Sequence, residues 1–176
     1  MVKQFVSMLE ELHLKYILVA NENVFISAKI FPLIKKNKIR IGYTRIKEFN
    51  TPEGPRKFGN VIWITNLPII KENQPLPLTA HYDPDLYPEY ENYAAINIDR
   101  VTAIPCDYDG VMGVPVTYLN KHCPSQFEIV GYAGSITKKN GLNYDVPYWP
   151  HSEDRGGDGM VNGVRKYARV LIKRKK

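Results

Sequence analysis

Apolar residues recur at helical spacing at the start of the chain. Val2, Phe5, Val6, Leu9 and Leu12 form a stripe that predicts a helix of about three turns, with Glu10 and Glu11 off the stripe. Tyr16-Ile17-Leu18-Val19-Ala20 follows as a continuous apolar run. A run without alternation suits a strand buried on both faces, as in a parallel sheet. Asn21 is placed to cap what comes next. Val24 to Lys36 reads as a second helix, with Val24, Ala28 and Phe31 on one side and Pro32 kinking it or ending its regular part. Ile39-Arg40-Ile41-Gly42-Tyr43 alternates as a strand, and Asn50 to Pro55 reads as a turn or loop. Val61-Ile62-Trp63-Ile64-Thr65 is a strong strand, able to pair antiparallel with the previous one. The class is therefore α/β, in the order helix, strand, helix, strand, strand. Doubly wound sheets start on a strand, so this order resembles the second half of such a sheet entered at a helix.

From Leu67 the pattern changes. Prolines at 68, 75, 77, 84, 88 and 105 interrupt regular elements, and Tyr82, Tyr87, Tyr90 and Tyr93 punctuate the same stretch. Buried aromatic rings make this an ordered, irregular connection. Tyr93 to Val101 holds a candidate strand, with Ala95, Ile96 and Ile98 available for burial. Phe127-Glu128-Ile129-Val130 alternates and ends at Gly131, and Tyr167 to Lys173 reads as a terminal strand. Between them, a polar loop from about Thr137 to Gly159 is rich in Gly, Asn, Asp and Pro.

Composition narrows the classes. The 176 residues are 44% hydrophobic and 24% charged, enough for a core and against global disorder. No apolar run reaches the length of a membrane span, and Met1-Val2-Lys3-Gln4-Phe5 does not open a signal peptide. A cytoplasmic protein with no membrane partner is expected. Cys106 and Cys123 read as two reduced thiols. The formal charge of +6 is unevenly distributed. Arg165, Lys166, Arg169, Lys173, Arg174, Lys175 and Lys176 crowd the C-terminus, whereas Asp83, Asp85, Glu89, Glu91, Asp99, Asp107 and Asp109 face a single base, Arg100, in residues 83–109. Such polarity steers a polyanion to one face.

Catalytic chemistry is sparse. Asp107 and Asp109, beside Gly110, have the spacing to share a divalent metal, but no lysine follows at nuclease spacing and aspartates beside glycine favour turns. His122-Cys123 lacks a zinc clamp, so no metal site is expected. Gly156-Gly157-Asp158-Gly159 follows no strand and reads as a mobile loop. No serine sits in a nucleophile elbow.

Several stretches together resemble one family. They are Ile104-Pro105-Cys106-Asp107-Tyr108-Asp109-Gly110-Val111-Met112-Gly113-Val114-Pro115-Val116-Thr117-Tyr118-Leu119, Gln126 to Gly131, Ile30 to Lys35, Gly59 to Leu67, Val161-Asn162-Gly163, and Tyr167 to Lys175. In this order they resemble the EcoRI-type adenine-specific DNA methyltransferases over nearly the whole chain. The resemblance implies transfer of a methyl group from S-adenosylmethionine to the exocyclic amine of adenine in double-stranded DNA. That amine is reached only when the base leaves the stack. The family holds the base with an Asn/Asp-Pro-Pro-aromatic tetrapeptide and the cofactor with a glycine-containing loop.

This sequence has no Pro-Pro dipeptide and no glycine-rich loop near its start, so no catalytic or cofactor residue is carried over. The resemblance makes residues 1–67 the C-terminal half of a Rossmann-like methyltransferase core. Residues 68–176 become an irregular, β-rich region for DNA target recognition. The expected partners are duplex DNA and either a separate N-terminal methyltransferase half or a second copy. The alternative is a non-catalytic DNA-binding protein derived from such an enzyme. Candidate phosphate contacts are Arg165, Lys166, Arg169, Lys173, Arg174, Lys175 and Lys176. Lys138, Lys139 and Asn140 in the polar loop are candidate base contacts.

Overall fold

The computed structural model describes residues 2–25, 27–135 and 137–175. It is a mixed α/β chain of several small sheets and few helices, in two compact units, Met1–Lys71 and Glu72–Lys176. No helix among the described residues is long and apolar enough to cross a membrane.

The first unit begins with α1 (Val2–Glu11), which buries Val6 and Leu9. The rest of its expected stripe faces outward: Phe5 is 44% and Leu12 58% exposed. β1 (Ile17–Asn21) follows. The side chain of Asn21 accepts from the Asn23 amide and caps a short 3-10 turn, Glu22–Val24, as expected. The single helix expected over Val24 to Lys36 does not form. Among the described residues of that span, only α2 (Phe31–Lys35) is α-helical, and Pro32 lies in its first turn. There its missing N–H leaves no bond unmade, so proline starts this helix rather than kinking it. β2 (Arg40–Arg45), the hairpin β3 (Glu48–Thr51) and β4 (Gly54–Lys57), and β5 (Val61–Thr65) complete the unit. The turn expected at Asn50 to Pro55 is the tip of that hairpin. β5 pairs antiparallel with β2, as expected, and antiparallel with β1, giving the order β1-β5-β2.

β1 is thus not a strand buried on both faces in a parallel setting. Antiparallel register places Leu18 opposite Ile64 and Ala20 opposite Ile62 on the core face. It turns Ile17, 60% exposed, and Val19, 38% exposed, to the other side. On that side Thr65, opposite Ile17, is buried, so the face is covered unevenly and the apolar run reads as half-exposed.

The second unit is built on a four-stranded sheet of order β6-β7-β11-β8. Its strands are β6 (Ile96–Asn97), β7 (Met112–Pro115), β8 (Phe127–Ala133) and β11 (Arg169–Arg174). A four-residue helix, α3 (Thr137–Asn140), follows β8, and a short hairpin of β9 (Met160–Val161) and β10 (Val164–Arg165) precedes β11. β11 lies between β7 and β8 and buries Arg169, Val170, Leu171 and Ile172. The chain's last strand is therefore a central one. The Tyr90 ring closes the sheet against Gly113 and Gly159, where any Cβ would lie within 2.4 Å of it.

Candidate nucleic-acid interface

The position of β11 separates charges that are adjacent in sequence. Arg169 pairs with Ala133 and Arg174 with Phe127, at opposite ends of the strand. Six residues of strand span roughly 16–20 Å. Arg165 and Lys166, just before β11, thus lie at the end from which α3 with Lys138, Lys139 and Asn140 departs. Lys173, Arg174 and Lys175 lie at the other end; Lys176 is outside the described residues. The basic terminus is two groups rather than one patch.

The first group stands on a rigid support. Asn92, 1% exposed, donates from Nδ2 to the Asp158 carbonyl at 2.8 Å and to Asp154 Oδ2 at 3.2 Å, and its Oδ1 accepts from the Met160 amide at 2.9 Å. Asp154 also accepts from the Tyr148 hydroxyl at 2.6 Å and from the His151 and Gly156 amides. The Tyr93 hydroxyl donates to the Gly157 carbonyl at 2.6 Å. Thr137 ties the start of α3 to the same place by donating to the Tyr132 carbonyl and accepting from the Gly134 amide. The Lys138 amide donates to the Gly156 carbonyl at 3.0 Å. The expected mobile loop at Gly156 to Gly159 is therefore a pinned turn. Burial opposes ionisation of Asp154, but the Tyr148 hydroxyl and the backbone amides outweigh it and hold the carboxyl low. Burial raises Asp158, moderated by Arg165.

Around this support the cations differ in availability. Arg165 is exposed and has Nε 3.6 Å from Asp158 Oδ2, and Arg155, also exposed, acts on the same carboxylate. Arg155 has no counterpart among the sequence expectations; one arginine inside a glycine-rich stretch carries no periodic signal. Lys138 and Lys139 are exposed on α3, and Asn140 is half-buried. Lys166, half-buried, lowers Asp99 behind the larger effect of the Asn97 side chain. Arg169 is 7% exposed, and its guanidinium bonds Asp99 at 3.2 Å and the Tyr167 carbonyl at 2.9 Å. Its charge is engaged within the fold rather than offered to a phosphate. Trp149, 54% exposed, and Tyr167, 90% exposed, add aromatic surface from the same segments.

The second group borders an open cleft of about 420 Å³ with Cys106, Ser125 and Gln126. Arg174 donates to the Pro105 carbonyl at 3.2 Å. His122 lies near Lys175, and burial, then Lys175, depress its pKa from 6.5 to about 4. A histidine held neutral in the fold but charged when unfolded removes stability as pH falls from 6.5 toward 4. At about 1.4 kcal/mol per pH unit the loss approaches ~3 kcal/mol, an upper figure for this half-buried ring. The melting temperature should fall over that window, and His122→Gln should flatten the fall.

His81, Cys106 and Asp107 come together although sequence spacing gave no clamp. Their ligand atoms lie within 4.8 Å of one another. His81 Nδ1 is 2.9 Å from Asp107 Oδ2, while Asp107 Oδ1 accepts from the Tyr82 amide at 2.7 Å. That amide, then His81, lowers the exposed Asp107 carboxyl. The trio offers three donors suited to a transition metal, and as it stands it clamps two segments joined by the Ala80–Pro105 bridge. Asp107 serves this clamp.

Family membership follows from sequence comparison. Residues 1–175 match the family described as adenine-specific methyltransferase EcoRI, and the chain belongs to that family. It is 32% identical over 195 residues to the Type II methyltransferase M.EcoRI of Escherichia coli, covering 99% of this chain and 54% of that protein. It is 32% identical to M.MgeORF184P of Mycoplasma genitalium, covering 92% of this chain and 58% of the relative. It is 30% identical to M.MpnI of Mycoplasma pneumoniae, covering 98% and 60%. The chain thus spans little more than half the length of these relatives. No solved structure matches it.

Proposed function

We propose that this chain is the DNA-contacting part of an adenine-N6 DNA methyltransferase of the restriction-modification type. Its first unit completes a Rossmann-like sheet. Its second unit grips duplex DNA through Lys138, Lys139, Arg155, Arg165 and Lys166. The observation that carries the reading is the coincidence of family membership along the whole chain with cations mounted on a rigid, buried network at one sheet end. Preorganised cations lose less entropy on binding than a flexible basic tail. They contact phosphates and set register without reading sequence.

The family implies S-adenosylmethionine as methyl donor, and we assign no residues of this chain to it. The cleft where β1 ends, about 320 Å³, is lined by Val2, Lys3, Asn21, Asn23 and Val24, with neither a glycine turn nor a carboxylate for a ribose. No methyl-transfer step is assigned to this chain's side chains.

Titration of the chain with fluorescent duplex DNA across salt tests the reading. Affinity should fall steeply with salt. Lys138→Glu with Lys139→Glu should weaken binding at least roughly tenfold and reduce the salt slope by about 2. The pair Lys173→Glu and Lys175→Glu should do less. No binding at low salt, or equal effects of the two pairs, contradicts the assignment. The lack of a Pro-Pro dipeptide equally favours a DNA-binding protein without methylation. Restored methylation on adding the rest of a methyltransferase separates the two readings.

A further inference from the structure

The trio of His81, Cys106 and Asp107 holds more donor atoms than its protons can link. Asp107 Oδ2 lies 2.9 Å and Cys106 Sγ 3.7 Å from the same atom, His81 Nδ1. A ring nitrogen carries at most one proton. Nδ1 therefore donates to Asp107 or accepts from the Cys106 thiol, and cannot do both. A cation seated among the three satisfies them all. Nδ1 and a carboxylate oxygen each supply a lone pair, and the thiol binds as thiolate with its proton released to solvent.

The backbone holds this convergence in place. The chain bends at Cys106 and Asp107, so two consecutive side chains come to one point instead of opposite faces. The Cys106 amide donates to the Ala80 carbonyl at 2.7 Å, beside the bridge of Ala80 with Pro105 that aligns the two segments. The Tyr82 amide donates to Asp107 Oδ1 at 2.7 Å, which orients the carboxylate and leaves Oδ2 for the centre. Ligand atoms around a tetrahedral zinc ion stand about 3.3–3.6 Å apart. The three donor atoms here lie within 4.8 Å of one another, and the His81 side chain, 76% exposed, has room to turn.

We infer that His81, Cys106 and Asp107 bind a single Zn(II) ion, with water in the remaining position. A thiolate, an imidazole and a carboxylate suit Zn(II); Mg(II) and Ca(II) take oxygen ligands instead. Cys106 also lines the open cleft of about 420 Å³ beside Arg174 and Lys175, so the ion has a path from solvent. Bound there, it ties His81 to Cys106 across 25 positions of sequence. The loop so closed carries Tyr90, Tyr93 and Ile96 of the core. An ion that binds the folded chain and not the unfolded one stabilises the fold.

The test titrates the full chain, stripped with chelator under reducing conditions, with Co(II) and then with Zn(II). Co(II) should raise a sulfur-to-cobalt charge-transfer band that saturates, and Zn(II) should bleach it and raise the melting temperature. Cys106→Ser should remove the band. His81→Gln, a change to an exposed side chain, should leave the metal-free melt nearly unchanged and weaken Co(II) binding at least about tenfold. Excess Mg(II) should not displace the ion. A missing band overturns the proposal and leaves the trio as a hydrogen-bonded clamp. A band that persists in Cys106→Ser, or keeps full affinity in His81→Gln, overturns it too, because the ion is then held elsewhere or by the thiol alone. Displacement by Mg(II) would mark a site of carboxylate charge and contradict the assignment equally.

Discussion

Replacing Asn92 with leucine is expected to remove a large part of the stability of the second unit. The side chain is 1% exposed and makes three hydrogen bonds, to Asp154, to the Asp158 carbonyl and to the Met160 amide. Leucine has the same branched shape but is larger and has no donor or acceptor, so overpacking adds to the loss. Asp154 keeps Tyr148, His151 and Gly156, but the Asp158 carbonyl and Met160 amide lose this partner. Each buried group left unpaired costs about 1–3 kcal/mol, so the total is roughly 3–5 kcal/mol. A domain has about 5–15 kcal/mol in all. Denaturant unfolding should show the loss, with exposed Ser152→Ala changing it by less than about 0.5 kcal/mol. DNA affinity should fall with the same substitution, because Asn92 positions the turn that carries Arg155.

Gly157→Ala is expected to have an effect of similar size for a different reason. The backbone at Gly157 has φ +136°, which side-chain-bearing residues rarely adopt. A Cβ there would also stand 2.6 Å from Thr137 Cβ and 2.8 Å from the Gly134 carbonyl oxygen. Neither neighbour can yield: Thr137 is fixed by bonds to Tyr132 and Gly134. Strain and overlap together should cost about 3 kcal/mol or more. Gly163, at the tip of the short hairpin, has φ +69° with open space around it, so Gly163→Ala should cost only about 1–2 kcal/mol. Thermal melts of the two variants side by side separate overlap from backbone strain alone.

The local elements were largely legible in the sequence. The β5 strand, the Asn21 cap and the turn near Pro52 follow from alternation, capping chemistry and turn residues, all of which act within a few positions. The start of β8 at Phe127 was legible too, but the strand continues past Gly131 to Ala133, because glycine there admits the Asn143 carbonyl, which a Cβ would approach to 2.9 Å. The pinned loop was not legible. Its bonds join Asn92 to residues more than sixty positions away, and no short-range pattern reports them. The candidate interface was half legible. The charges were visible, but their division into two groups depends on β11 occupying a central place in the sheet, a tertiary fact. Arg169 illustrates the point: within a basic run it reads as a phosphate ligand, and in the fold it is tied to Asp99.

Under the proposed function, this chain contributes DNA contacts to adenine methylation and leaves the transfer to the rest of the enzyme. The most direct test is to incubate the purified chain alone with duplex DNA and radiolabelled S-adenosylmethionine, then digest the DNA and quantify N6-methyladenine. The account predicts no label in adenine above background; label accumulating over repeated turnovers from this chain alone would contradict it.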